Sequence, residues 1–289
     1  MIKMKSYTTN VVKDLPSTMT TRNVAQTVIG DLDLFGHDGQ AKMYRDFRPV
    51  YPDELVQYVA SLVAETNRDV YVDVACGSGQ LTSKIAPFFR SATGVDKSFE
   101  QLGQAQDPKV EWKAGSAFAL SMPDCSADLM TVAQGLHWLV PYDRFFSEVD
   151  RVLKPRGVFA AVAYAFPTLI EPESNRIVMH FYEEVLGARK SPGQDGCWWD
   201  TNRPTIDSFY ADVPFPSHRQ LRHFIQRVSL TIEHYTNYLK TLSAYRTLVR
   251  VTSPKVDPID EIRDKLSSIS SNGMIELEID FFVVSYVKI

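Results

Sequence analysis

Apolar positions along the chain fall into two alternating kinds of segment. One kind is a short run rich in β-branched and aromatic residues; the other carries apolar residues three and four apart. Val70-Tyr71-Val72-Asp73-Val74 is of the first kind and runs into the small-residue turn Ala75-Cys76-Gly77-Ser78-Gly79. Leu81, Ile85 and Phe89 then recur at helical spacing. This predicts a strand, a tight glycine turn and a helix, the unit that opens a doubly wound α/β domain. Further strands are predicted at residues 91–95 (ending in Asp96), 110–114, 128–133 and 158–164. Between them lie helical patterns, one around residues 99–105 and one with Phe145, Val149 and Val152/Leu153 on one face. The latter is closed by a turn at Lys154-Pro155-Arg156-Gly157. Right-handed crossovers give the strand order 3-2-1-4-5, with a ligand cleft where strands 1 and 4 diverge.

Ahead of this unit, residues 41–47 form a short helical pattern stopped by Arg48-Pro49-Val50-Tyr51-Pro52. A proline disfavours helix at the residue before it, so Arg48 and Tyr51 should be extended. Asp53 is then placed to cap a second helix carrying Leu55, Val59 and Leu62/Val63. Behind the fifth strand, residues 166–221 hold many prolines and aromatics around Cys197-Trp198-Trp199-Asp200 and Arg203-Pro204, and read as an insert of short helices and loops. Strand-like alternation returns at residues 222–229. Helical patterns follow through Tyr235, Tyr238/Leu239, Leu242 and Tyr245 and at 259–266, and residues 275–287 suit a closing antiparallel strand.

Composition narrows the class. The 289 residues, 44% hydrophobic and 23% charged, fit one large globular domain with an insert. A net charge of −4 argues against a nucleic-acid-binding surface. Cys76, Cys125 and Cys197 contain no C-x-x-C pair, and the six histidines have no H-x-x-x-H spacing, so neither a disulfide framework nor a metal site is indicated. No apolar run approaches the roughly 20 residues of a membrane span. Residues 1–38 read as a partly disordered extension without a signal peptide's apolar middle, which leaves the cytoplasm as the default location.

The turn itself suggests chemistry. Gly77 and Gly79 let backbone approach a ligand closely, and the helix start behind them offers unpaired N–H groups. A dinucleotide fingerprint would need a third glycine where Thr82 stands. Asp96 follows Asp73 by 23 residues, close to the spacing at which doubly wound folds set an acid on ribose hydroxyls. It reads equally as the cap of the next helix.

The sequence D-x-A-x-G-x-G from Asp73 to Gly79 resembles the first motif of class I methyltransferases that use S-adenosylmethionine (SAM), with Ala75 in place of that motif's first glycine. Three further segments are similar to those of the subgroup related to trans-aconitate methyltransferase: Tyr44…Arg48-Pro49-Val50-Tyr51-Pro52, Ala133-Gln134-Gly135-Leu136-His137-Trp138, and Tyr238 to Tyr245. The [DN]-P-P-[YF] motif of exocyclic-amine methylases is absent at the fourth strand end.

The resemblance implies a Rossmann-like sheet of seven strands in the order 3-2-1-4-5-7-6. It places a SAM-binding domain at residues 39–165 and 222–289, and sets the insert over the strand ends. It implies cofactor contacts from Tyr44, Arg48, Asp73 (near the ligand's ammonium), Ala75, Gly77, Gly79, Asp96, Lys97, Ser116, Ala117 and Gln134. Ser116 stands where an adenine-binding Asp is common. Tyr51, Trp138, Trp198 and Trp199 are implied on the acceptor side, with His137 and Arg203 at the reacting groups. Each aromatic has a packing alternative, and His137 one as a partner for a backbone carbonyl. The implied partner is a small-molecule methyl acceptor, with a carboxylate oxygen as the favoured nucleophile, no nucleic acid or membrane, and a monomer or homodimer; the alternatives are transfer to another nucleophile or a macromolecule, or a methyltransferase-like scaffold that binds without catalysis.

Overall fold

The computed structural model describes residues 39–188, 197–198, 210, 213–216 and 218–289. The N-terminal extension, Trp199 and Arg203 lie outside them. Helices α1 (Gln40–Phe47) and α2 (Asp53–Ser61) precede β1 (Val70–Val74). Then come α3 (Thr82–Ile85), β2 (Ser91–Asp96), α4 (Phe99–Leu102), β3 (Val110–Ala114), β4 (Ala127–Ala133), α5 (Tyr142–Val152) and β5 (Leu153–Tyr164). The rest comprises β6 (Thr168–Leu169), α6 (Pro172–His180), β7 (Gln220–Thr231), α7 (Ile232–Lys240), α8 (Ser243–Thr252), α9 (Pro258–Ile269) and β8 (Met274–Val287).

The strands form one sheet in the order β3-β2-β1-β4-β5-β8, with β7 and the two-residue β6 both paired to β8. The first five are parallel, with Val72 between Thr93 and Met130; β8 runs antiparallel to β5 and β7. The expected order holds, with β8 as the inner and β7 as the outer of the last two long strands, and the short β6 is additional.

Two cores flank the sheet because strand side chains alternate faces. In β5, Val158, Ala160, Val162 and Tyr164 enter one core, and Phe159, Ala161 and Ala163 the other. The first core receives α2 through Leu55, Val56 and Val59, together with α7 and α9. The second receives Phe145, Phe146 and Val149 of α5. Each fully buried side chain of this size contributes roughly 1.5–3 kcal/mol.

Three local expectations are corrected. Leu81, Ile85 and Phe89 are all buried, yet the helix ends at Ile85 and a single tight turn, Ala86–Phe88, follows. Pro87 has no N–H to continue the ladder. Asp53 is the first residue of α2 rather than its cap: Pro52 holds the cap position, and the Asp53 carboxylate accepts from Lys84 Nζ at 2.8 Å. Lys84 also donates to the Tyr51 carbonyl at 2.8 Å, which fastens the entry segment to α3. The turn expected at residues 154–157 is absorbed into β5 as an irregularity. Register passes from Ala127↔Leu153 to Leu129↔Val158, and Arg156 takes φ 66°.

Candidate active site

The site lies where the order of the sheet reverses, beyond the C-terminal ends of β1 and β4. Ala75, Gly77 and Gly79 all take positive φ (54°, 56° and 79°), so the chain leaving β1 curls tightly. An alanine in this region costs on the order of 1–2 kcal/mol, the penalty of the departure at Ala75. Its methyl group faces Gly135, where an added Cβ would lie 3.1 Å away. Gln134, just past β4, also takes positive φ and donates from Nε2 to the Tyr164 carbonyl at 3.2 Å. These contacts join the ends of β1, β4 and β5.

Asp96 organises this turn. One carboxylate oxygen accepts from Gly77 N–H at 2.8 Å and the other from Ser98 N–H at 2.8 Å. A carboxylate has about four acceptor sites, so half its capacity is left for a ligand. The helix cap is Ser98, whose Oγ accepts from Gln101 N–H at 3.2 Å. Both readings of Asp96 therefore meet in one place: it braces the turn and the start of α4 while remaining half-exposed.

Asp73 lies deeper than the turn. The resemblance sets it beside a ligand ammonium, but it is completely buried. Its two oxygens accept from Thr82 Oγ1 at 2.5 Å and Thr131 Oγ1 at 2.6 Å, and the Thr131 hydroxyl also bonds the Tyr71 hydroxyl at 2.8 Å. Burial pushes the Asp73 carboxyl up to about 7, offset in part by the two hydroxyl donors. It ties β1 to β4 and α3. Thr82, which breaks the dinucleotide fingerprint, holds this acid.

Two residues that the local pattern did not single out stand at the turn. Gln101 is buried, its Oε1 has no hydrogen-bond partner, and that oxygen lies 3.7 Å from where a Cβ on Gly77 would be. Ser78 Oγ is likewise buried and unpartnered. Trp112 of β3 packs closely against the turn, so that a Cβ on Gly79 or Gly94 would come within 2.2 Å or 2.5 Å of its ring. A glycine inside a strand, such as Gly94, signals such a close approach.

The other predicted residues are placed as follows. Lys97 and Ser116 are exposed; Ser116 Oγ accepts from Phe118 N–H at 3.2 Å, and Ala117 beside it is half-buried. His137 and Trp138 occupy the turn Leu136–Trp138 after β4, half-buried, with ring centroids 5.3 Å apart. Tyr51 is buried against Tyr164 and Phe281. Its hydroxyl is pushed well above the ordinary range by burial and then by neighbouring Tyr164 and Tyr44. Tyr44 lies under the Arg48 guanidinium, 4.6 Å from its ring centre. Trp198 packs on the first core, and its backbone N–H donates to the Leu186 carbonyl at 3.2 Å. Among the described residues no His, Cys, Asp and Glu group can hold a metal, and no helix is long and apolar enough to cross a membrane.

This fold and this turn define the class I methyltransferases. The model of a family described as a methyltransferase domain matches residues 72–161, from β1 into β5. A Dictyostelium discoideum protein named as a methyltransferase is 30% identical over 81% of this chain and 85% of its own. A Saccharomyces cerevisiae protein named as a SAM-dependent methyltransferase is 23% identical, over 78% and 86%. Among solved structures, an Anaeromyxobacter dehalogenans protein described as a type II methyltransferase superposes with a TM-score of 0.69 at 28% identity, covering 83% of this chain and 98% of that one. The chain belongs to the class I SAM-dependent methyltransferases, and SAM is its cofactor.

The residues present fit that cofactor. A turn with backbone close at hand, a carboxylate with acceptor capacity left, and two orphaned buried oxygens at Ser78 and Gln101 suit a ligand rich in hydroxyl and amino groups.

Proposed function

We propose that the chain transfers the methyl group of SAM to a carboxylate oxygen of a small molecule, as the subgroup related to trans-aconitate methyltransferase does. The observation that carries this reading is the state of the acids assembled at the site. Asp73 is sealed in the core and Asp96 is engaged by two backbone N–H groups, so neither is placed as a general base. A carboxylate acceptor needs none, since it is ionised at neutral pH with a pKa near ~4. SAM supplies an electrophilic methyl group on a sulfonium. The chain supplies position and surroundings, holding the partners in line, which is where most of the rate gain in such a transfer arises.

In this reading the turn 75–79, Asp96, Lys97, Ser116, Ala117 and Gln134 hold the cofactor, and Tyr44 lends an aromatic face to the sulfonium. His137 donates to the acceptor carboxylate, with Tyr51 and Trp138 beside it. Trp198 of the insert lies on the acceptor side, while Trp199 and Arg203 fall outside the described residues. Supporting it are the Tyr44…Pro52, Ala133…Trp138 and Tyr238…Tyr245 segments, which carry the subgroup resemblance.

The test is to supply labelled SAM with a panel of small carboxylic acids. A methyl ester releases its label as methanol in mild base. Label that survives base on carbon or nitrogen, or that enters RNA or protein, would overturn the carboxylate reading.

Two substitutions probe the assignments. Asp96→Ala should weaken S-adenosylhomocysteine binding by about 1.5–3 kcal/mol, the usual worth of hydrogen bonds to a charged group, as read by calorimetry. Unchanged affinity would put the ribose elsewhere. His137→Ala should abolish most turnover while cofactor affinity stays within about twofold. Normal turnover would make His137 a packing residue.

A further inference from the structure

β7 is the outermost long strand on its side of the sheet. It pairs with β8 from Gln220↔Ser285 to Thr231↔Met274, while β8 meets β5 and β6 along its other side. Among the described residues no strand pairs with the outer edge of β7. An open edge offers a row of backbone donors and acceptors to another strand, and proteins ordinarily guard it by shortness, proline, lysine or a bulge. The opposite edge follows that rule: β3 has 5 residues and carries the ion pair Glu111–Lys113. β7 does not. It has 12 residues, no proline or lysine, and an unbroken register.

Side chains of β7 divide by face. Phe224 is buried in the first core, and Val228 and Leu230 pack on it. On the other face Leu221, His223, Ile225, Arg227 and Ser229 are all exposed, Leu221 and Ile225 by 58% each. The strand's cations are answered from within the chain. His223 Nδ1 lies 3.0 Å from an Asp280 oxygen, and Arg227 Nε donates to Glu278 at 3.0 Å. The Arg222 guanidinium lies over the rings of Tyr58 and Phe224, at 4.6 Å and 5.3 Å. An incoming strand therefore meets no bare row of charge.

The pattern is complementary to itself. Leu221 and Ile225 share a face four residues apart, so a two-fold axis through His223 sets Leu221 of each copy opposite Ile225 of the other. It also sets Arg222 opposite Phe224, a ring of the kind it already covers. Axes through Arg222 or Arg227 would oppose two arginines, and one through Ile225 would oppose His223 and Arg227. Axes through Phe224 or Gln226 would set Ile225 against His223 or Arg227. Charge favours the same reversal. His218, Arg219 and Arg222 make the start of the strand basic, whereas its later half runs beside Glu278 and Glu276 of β8. Antiparallel pairing lays the basic end of each copy along the acidic end of the other. The two arginines this axis brings near, Arg219 and Arg227, are held by the Tyr210 carbonyl and by Glu278.

We propose that the protein forms a two-fold dimer by antiparallel pairing of β7 with β7 of a second copy, centred on His223, which joins the two sheets into one. Three strands, β5, β8 and β7, separate β4 from the axis, so each copy keeps its own cleft.

Sedimentation equilibrium of the full chain tests this. Dimerisation is expected with a dissociation constant on the order of 10 μM, as a small contact implies. Ile225→Lys places a charge in the apolar pair at an exposed position. It should weaken the dimer about tenfold or more and leave the circular dichroism of the fold unchanged. Register is read by cross-linking, since opposed residues of an antiparallel pair have Cα atoms roughly 4.5–5.5 Å apart, within disulfide reach. Cys76 and Cys197 are buried and Cys125 is exposed, so the background is Cys125→Ser. There His223→Cys should cross-link to itself under mild oxidation, and Leu221→Cys with Ile225→Cys only when the two are mixed. A chain still monomeric at about 100 μM overturns the proposal. So does a dimer that Ile225→Lys leaves intact, a His223→Cys that does not cross-link, or an Ile225→Cys that cross-links alone.

Discussion

Replacing Gly79 by alanine should destabilise the protein by about 2–5 kcal/mol, and the cause is a tryptophan rather than a ligand. An alanine Cβ would lie 2.2 Å from Trp112 Cη2 and 2.8 Å from Cζ3, where no real contact exists. The ring has little room to withdraw, because its Nε1–H is tied to the Asp107 carbonyl at 3.2 Å. Overpacking of this kind costs roughly 1–3 kcal/mol, and φ of +79° adds roughly 1–2 for a side chain in the left-handed region. Gly77 is the internal control. Its φ is also positive, at +56°, but its nearest neighbour would be Gln101 Oε1 at 3.7 Å, an ordinary contact, so Gly77→Ala should carry only the conformational cost. Gly94 isolates the other half: its φ is not positive, yet its Cβ would meet Trp112 at 2.5 Å and Cys76 Sγ at 3.0 Å. Urea denaturation of the three variants, with Gly94→Ala repeated in a Trp112→Leu background, measures each part. A coupling of about 0.5–3 kcal/mol is expected in that cycle. If Gly79→Ala proves as mild as Gly77→Ala, Trp112 does not wall the turn.

Asp73→Asn should remove a pH dependence of stability worth several kcal/mol. The sign follows from the direction of the shift. The unfolded carboxyl titrates near 3.8 and the folded one is raised to about 7, so folding favours the protonated acid. The stability so contributed is fully present below pH 3.8. It declines as the pH rises toward about 7 and is gone above it. At 1.36 kcal/mol per pH unit the change is on the order of 4 kcal/mol. Asparagine has a similar shape and stays neutral throughout, and the Thr82 and Thr131 hydroxyls can turn to accept from its amide as well as donate. All other titrating groups are common to both proteins, so the difference between their urea midpoints isolates this one. From pH 4.5 to about pH 7 that difference should move steadily in favour of the variant, and then level off. A flat difference would show that the two hydroxyls hold the carboxylate ionised in the fold.

How much of this was legible in the chain can be judged from particular elements. The limits of β3, residues 110–114, and the end of β2 at Asp96 coincide with the expected ones. β1 and β4, buried on both faces, read as continuous apolar runs, whereas β3, at the sheet edge and only partly buried, reads from the strand preference of Val110 and Trp112; both signals are local. Pro87 was equally visible, yet the spacing of Leu81, Ile85 and Phe89 outweighed it. Periodicity reports which face is buried, whereas continuity of the helix depends on a backbone donor that proline lacks. The irregularity within β5 escaped for a related reason: a Pro-x-Gly sequence marks a bend, and only pairing with β4 and β8 decides that the strand continues through it.

The sequence by itself determined the doubly wound order, the glycine turn after β1, and the acid 23 residues beyond the first, because each arises from residues close together in the chain. Tertiary structure alone decided what those residues do to one another. Asp73 is shut away by Thr131, which is 58 residues distant, and Arg48 meets Tyr164 across 116. Gly79 and Gly94 are held to glycine by a tryptophan on a third strand. Partners of this kind are set by which strand ends the sheet brings together. No local spacing encodes that; packing the crossovers on the two faces of the sheet creates it.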